Sequence, residues 1–179
     1  MLFLTFQAGD SRFALAAGRV LEVVPRVRLQ PCPDAPACVA GFLDYRGTCV
    51  PVVDLCRLVH GAPAAELLST RIVVTQYRAV DGRQRSVGLL AEGVTSTLGL
   101  ETDDFSQVGL ANSALPGLGK LAVAAAQFVQ RLELERLLPA DWERRLFPPL
   151  GSGGPAAATA KPDCGEVRSR HDTPQVAFL

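Results

Sequence analysis

What the chain has little of narrows its function first. It contains only two histidines, His60 and His171, so a Ser-His-Asp or Cys-His arrangement has almost no candidate for its base. Its formal net charge is +0, from 18 basic and 18 acidic residues, and lysine stands only at 120 and 161. That balance leaves no electrostatic footprint for nucleic acid or for an anionic membrane surface. No apolar run approaches the roughly 20 residues that cross a bilayer; Leu121–Ala126 is among the longest. The apolar opening Met1–Phe6 has no basic stretch and meets Gly9-Asp10 at once, so it reads as a first strand and not as an export signal. The expectation is a soluble, cytoplasmic protein with no direct membrane insertion.

Cysteine usage excludes a further class. Cys32, Cys38, Cys49, Cys56 and Cys164 are odd in number and match no C-x2-C spacing, so no zinc site is read from them. Reduced thiols are expected, with Cys49 and Cys56 as small core residues. A phosphate cradle is missing too. The stretch Leu115–Lys120 (LPGLGK) lacks the P-loop spacing and reads as a turn, as does the adjacent pair Asp103-Asp104. No catalytic residue, cofactor or metal is assigned.

What is there is mostly strand. Leu2–Gln7 and Arg12–Leu15 flank Gly9-Asp10-Ser11 as a hairpin, and Arg71–Arg78 and Arg85–Ala91 form a second around Asp81-Gly82. Glu92–Leu100 reads as a further strand and Leu121–Leu134 as the closing ones. In Arg19–Val24 the alternation puts Val20, Glu22 and Val24 on one side and Leu21 and Val23 on the other. Glu22 then stands either on a solvated face or among exposed valines on a contact surface. Pro25, Pro31, Pro33 and Pro36 forbid a helix after it and imply an ordered crossing loop. Asp54–Val59 looks like a short helical turn, with His60 solvated in the loop beyond. Short helical pieces flank Pro139, and Trp142 and Phe147 are placed to cover one end of the core. From Gly151 the composition is that of a flexible tail.

The centre of the chain is Val39–Val59, VAGFLDYRGTCVPVVDLCRLV, two apolar runs joined at Arg46-Gly47. Pro51 has no backbone donor, so its strand is expected at an edge or with a bulge. Arg46, a charge between two strands, is either an ion-pair strut or a contact point.

The order also repeats. Phe13-x-Leu15 followed by Val20 and Val24 has a counterpart in Val87-x-Leu89 followed by Val94 and Leu98. Val50, Val53, Asp54, Leu55, Arg57, Leu58 and Val59 align without a gap on Val129, Leu132, Glu133, Leu134, Arg136, Leu137 and Leu138. The fold expected is mainly β, two pseudo-symmetric five-stranded barrel lobes over residues 1–150, with a tail at 151–179.

Gly41-Phe42-Leu43-Asp44-Tyr45-Arg46-Gly47, followed by Val50-Pro51-Val52-Val53-Asp54-Leu55, resembles the signature of the CheW-like family of chemotaxis coupling proteins. The resemblance runs from Phe3 to about Leu138. It implies intertwined SH3-like barrels, no enzymatic activity, and an adaptor between the cytoplasmic domain of a chemoreceptor and the regulatory domain of a CheA-type histidine kinase. It also implies that Val20, Glu22, Val23 and Arg46 contact those partners, with Gly47 and Asp54 shaping the Arg-bearing corner. Asp44-Tyr45 departs from the usual Asn-Leu, and Ala91-Glu92 from the frequent Val-Asp. The ending, with Leu137-Leu138-Pro139 and Leu146-Phe147-Pro148, is similar to coupling proteins of Wsp-type surface-sensing systems. Other readings are an SH3-like module for another protein or nucleic acid, and an enzyme acting through Cys49 or Cys38.

Overall fold

The computed structural model describes residues 1–101, 104–105, 117–124 and 127–147. The tail from residue 151, most of the turn-rich stretch before Gly117, and the Asp103 of the acidic pair lie outside them. Nine strands are described: β1 (Leu2–Ala8), β2 (Ser11–Ala16), β3 (Val20–Pro25), β4 (Val39–Tyr45), β5 (Thr48–Asp54), β6 (Arg71–Arg78), β7 (Gln84–Gly99), β8 (Leu118–Ala124) and β9 (Gln127–Leu132). Two short helices, α1 (Leu55–His60) and α2 (Ala140–Leu146), and 3-10 turns at Ala17–Arg19 and Leu134–Arg136 complete the order. No described helix is long and apolar enough to cross a membrane.

Both expected hairpins form. β1 and β2 pair from Phe3–Ala16 to Ala8–Ser11. β6 and β7 pair from Arg71–Ala91 to Arg78–Gln84, and Asp81 accepts the Arg83 N–H in the turn between them. β7, however, is one strand of sixteen residues where two were expected. Its first half pairs with β6 and, in parallel, with β5; its second half pairs with β1. β7 therefore belongs to both lobes. The first lobe runs β3-β6-β7-β5-β4 and the second β7-β1-β2-β9-β8. Among the described residues strand pairing does not close either into a complete barrel. In the first lobe the gap between β3 and β4 is spanned by a bridge from the proline-rich loop, in which Gln30 and Phe42 exchange backbone hydrogen bonds at 2.9 and 2.8 Å. Gly41 makes that approach possible, because a Cβ there would stand 2.5 Å from the Gln30 carbonyl oxygen.

The repeat is real and its two copies are interlaced. Val39–Val53 in β4/β5 has its equivalent in Leu118–Leu132 of β8/β9, and Val24–Ile72 in β3/β6 has its equivalent in Leu98–Phe3 of β7/β1. The parallel pair Val52–Gly88 answers to Arg131–Ala14. With the two halves of β7 counted separately, each half of the chain gives its first two strands to one lobe and its remaining three to the other. One core cluster accordingly draws Phe6, Phe13, Val53, Ile72, Leu89 and Leu132 from both halves. A smaller cluster around Phe3, Phe105 and Val129 fills the outer side of the second lobe. Fully burying each such side chain is worth about 2 kcal/mol.

Three local expectations are corrected. β5 is no edge strand, since β4 and β7 flank it. Pro51 is tolerated there because its partner Phe42 turns its own N–H and carbonyl away, to Gln30, and because pairing with β7 begins only at Val52. The register irregularity lies in β4, between Val39 and Gly41. β8 starts at Leu118, so Lys120 of the LPGLGK stretch is in a strand. His60 is the last residue of α1, not a loop residue, and its Nε2 is 2.8 Å from the Ala8 carbonyl oxygen.

α2 caps the open end of the first lobe. Trp142 and Phe147 pack against the core, as the sequence predicts, Leu146 joins them, and Phe147 stacks on Tyr77 at 5.8 Å. Buried Glu143 accepts the Tyr77 hydroxyl at 2.6 Å and the Val80 N–H.

Candidate interaction site

The site grows from the β4–β5 turn. Tyr45 pairs with Thr48, which leaves Arg46-Gly47 as a two-residue loop. Both residues have positive φ, 54° and 78°, the conformation that matches the twist of paired strands. Gly47 takes it without strain. Arg46 is the only described non-glycine that does, and it carries a Cβ into a region that disfavours one. Asp44 steadies the loop by accepting the Gly47 N–H at 2.9 Å.

Across the gap stands Glu22 of β3. Its Oε2 accepts the Tyr45 hydroxyl and the Arg46 guanidinium, both at 2.8 Å. The guanidinium also lies over the Tyr45 ring, 5.1 Å from its centroid. The hydrogen bond to Glu22 raises the Tyr45 phenol above its ordinary range. These side chains join β3 to the turn on the same gap that Gln30 and Phe42 bridge further along. Arg46 nevertheless remains 75% exposed and Glu22 40%, so the pair is presented to solvent while it ties the two elements.

Among the described residues β3 pairs only with β6, which leaves its other edge free along Val20–Pro25. Leu21 and Val23 project to solvent from it at 45% and 41% exposure, while Val20 and Val24 are half-buried against the core. The exposed apolar pair next to Glu22 is therefore Leu21 with Val23, not Val20 with Val23. Val20, Glu22, Val23, Arg46 and Gly47 lie on the β3 edge and the facing turn. Asp54 does not join them. It sits at the far end of β5, 2% exposed, where it caps α1 by accepting Arg57 N–H at 3.1 Å and ties down the following loop by accepting Ala64 N–H at 3.0 Å.

Two residues of this surface, Tyr45 and Leu21, are not among the contacts expected from the sequence. Tyr45 looks only like a departure from the usual Leu, yet its hydroxyl and its ring hold both charges. Leu21 was discernible from the alternation that sets it beside Val23.

Cys38, Cys49 and Cys56 show no activation. Cys49 is exposed, contrary to the core position expected of it, because it pairs with Asp44 beside the turn. Desolvation raises its pKa. Burial pushes buried Cys38 and Cys56 up to about 11, whereas a nucleophilic cysteine needs the opposite shift. Among the described residues no group of three or more His, Cys, Asp or Glu could hold a metal ion.

Comparison with known proteins places this arrangement. The chain is 30% identical over 102 residues to the chemotaxis protein CheW of Rhizobium meliloti and 35% identical over 72 residues to protein FrzA of Myxococcus xanthus. Those matches take in 57% and 40% of this chain and 63% and 45% of the relatives, under two thirds of either relative. The chemotaxis protein CheW of Klebsiella aerogenes is 24% identical over 144 residues, covering 78% of this chain and 82% of that one. The crystal structure of the scaffolding protein TtCheW from Thermoanaerobacter tengcongensis superposes with a TM-score of 0.68 at 17% identity, over 79% of this chain and 89% of that one, a likeness of fold. The CheW-like domain matches residues 2–141, which take in all nine strands, the turn of Arg46 and the β3 edge facing it, and the chain belongs to the CheW-like family.

Proposed function

We propose that this protein is a non-enzymatic coupling scaffold, which joins the cytoplasmic domain of a chemoreceptor to the regulatory domain of a CheA-type histidine kinase. On this reading it works in the cytoplasm and reaches receptor arrays through its partners. The observation that carries the proposal is the pairing of Glu22 and Arg46 beside the free edge of β3, with Leu21 and Val23 exposed there. The apolar side chains supply area to cover, and the charges supply orientation and partner choice. Relatives named as chemotaxis proteins support the same assignment.

Val20, Glu22, Val23 and Arg46 form the contact set, with Leu21 added. Gly47 keeps the turn that presents Arg46, and Asp54 secures the end of β5 from within. Residues 1–150 form the coupling domain and 151–179 a separate tail. The ending similar to Wsp-type proteins supports a place for this scaffold in a surface-sensing pathway. Co-sedimentation of the purified chain with receptor-tip and kinase proteins from the same genome tests the scaffold. A ternary complex weakened by Arg46→Ala is expected; a folded chain that binds neither partner overturns the proposal.

A further inference from the structure

Beside α1 the first lobe carries an open cleft of about 650 Å³ that none of the coupling residues on the β3 edge or the Arg46 turn lines. One wall is the segment that leaves β3, from Arg26 to Leu29; the other is the loop between α1 and β6, including Glu66, Leu67 and Leu68. The walls are tied together. Arg26 binds Glu66 at 2.8 Å and reaches the carbonyl oxygens of Ala64 and Ala65 at 3.3 and 3.4 Å. At the floor, Arg57 pairs with Asp54 at 3.7 Å and donates to the Ala37 carbonyl oxygen. Two of the three guanidiniums lining the cleft thus have their carboxylates already.

The third does not. Arg28 is exposed and makes no ion pair or side-chain hydrogen bond among the described residues. Around it stand exposed apolar side chains: Val27 at 45%, Leu67 at 54% and Leu68 at 93% exposure. A preformed concavity with leucine-sized side chains at its rim and one unanswered positive charge asks for an occupant with the complementary pattern.

We propose that this cleft docks an acidic amphipathic segment of a protein partner, a contact additional to the coupling surface. The partner's apolar side chains at helical spacing cover Val27, Leu67 and Leu68, and a flanking Asp or Glu neutralises Arg28. A lipid surface fits less well. Polybasic membrane attraction takes clusters of about 4–8 basic residues, whereas only Arg28 is uncommitted here and the chain is neutral overall.

The test uses the full chain and a phage-displayed library of random peptides, counter-selected on an Arg28→Glu, Leu68→Ser double variant. Both positions are exposed, and an unchanged amide NMR spectrum away from the cleft confirms that the variant folds. Peptides that combine Leu, Ile or Met at helical spacing with Asp or Glu are expected. A synthetic copy of the most enriched one should shift the amides of Val27, Arg28, Leu67 and Leu68. Arg28→Glu should weaken it by about tenfold or more, and Arg28→Lys should largely keep it. Absence of enrichment, enriched peptides without acidic residues, or shifts mapping to Leu21 and Val23 instead would each overturn the proposal. So would binding to phosphatidylglycerol vesicles that Arg28→Glu abolishes. Peptide binding with failed receptor and kinase binding would leave the cleft standing and remove the coupling reading; the reverse result would do the opposite.

Discussion

Arg46 combines two features that do not help stability: a left-handed backbone on a residue with a Cβ, and a long side chain left 75% exposed. An exposed ion pair such as that with Glu22 is worth about 0–1 kcal/mol. Arg46→Ala keeps the strained φ and loses that exposed pair and the exposed contact with the Tyr45 ring, so urea unfolding should move by about 1 kcal/mol. Arg46→Gly relieves the strain and should unfold no more easily than the parent, while binding receptor and kinase as weakly as the alanine variant. A loss of several kcal/mol in either variant would make Arg46 a strut and not a contact. The sequence showed that a charge stands between two strands but left that choice open. The ion pair itself is present, because Glu22, distant in sequence, answers Arg46 across the gap. Asp54 shows the opposite outcome. It stands in the same motif, and its type and spacing look alike whether the carboxylate faces a partner or caps a helix; only burial separates the two. Asp54→Ala removes the α1 cap and leaves the Ala64 N–H without its partner, so it should cost about 2 kcal/mol in urea unfolding. A near-neutral result would mean that water replaces the carboxylate.

At the scale of elements, α2 is held to the β6–β7 hairpin by few polar contacts, and the Tyr77–Glu143 bond is the buried one. Desolvation first, and then that bond to a carboxylate, raise the Tyr77 phenol far above its ordinary value of 10.0. The neutral phenol is therefore favoured by the folded state. Its contribution to stability is fully present below the unfolded value and declines as pH rises past it toward the higher folded value. Thermal melts from pH 8 to pH 11 should show the midpoint falling above about pH 10. Tyr77→Phe should flatten that fall and cost about 1–2 kcal/mol at neutral pH, because Glu143 stays buried with one donor fewer. An unchanged alkaline limb would place the titration elsewhere. Strand existence was easy to read from alternation, as in Arg71–Arg78, and strand continuity was not. Gly93, with φ of 55°, looks like a break in the sequence but only redirects β7 from one lobe into the other. Pro51 misleads for a related reason: the rule against central proline concerns a missing donor, and here the facing backbone of Phe42 makes no demand for one.

At the scale of the whole molecule, the repeat says which segments are alike but not which copy each one joins. Val50 to Val59 and Val129 to Leu138 were legible as equivalents, and the residue pairs of the two lobes confirm it down to register. Nothing in either copy announces that β3, β4 and β5 find β6 and the start of β7 from the other half, because apolar faces of equal spacing would fit their own half as well. The exchange has a measurable consequence. A fragment of residues 1–69 keeps β1 to β5 but strips β3 of its strand partner β6 and β5 of its parallel one, β7. A fragment of residues 70–149 keeps β6 to β9 but loses the β1 and β2 to which β7 and β9 attach. Each leaves half of a shared core uncovered, so neither has enough burial to offset its chain entropy. Each alone should show no cooperative thermal transition, whereas co-expression should recover a complex that melts in a single step near the parent midpoint. Truncation at Pro149 of the intact chain should leave that midpoint in place. Either fragment melting cooperatively by itself would mean that a half can pair its own strands, and that the interlaced arrangement is one of two folds open to this sequence.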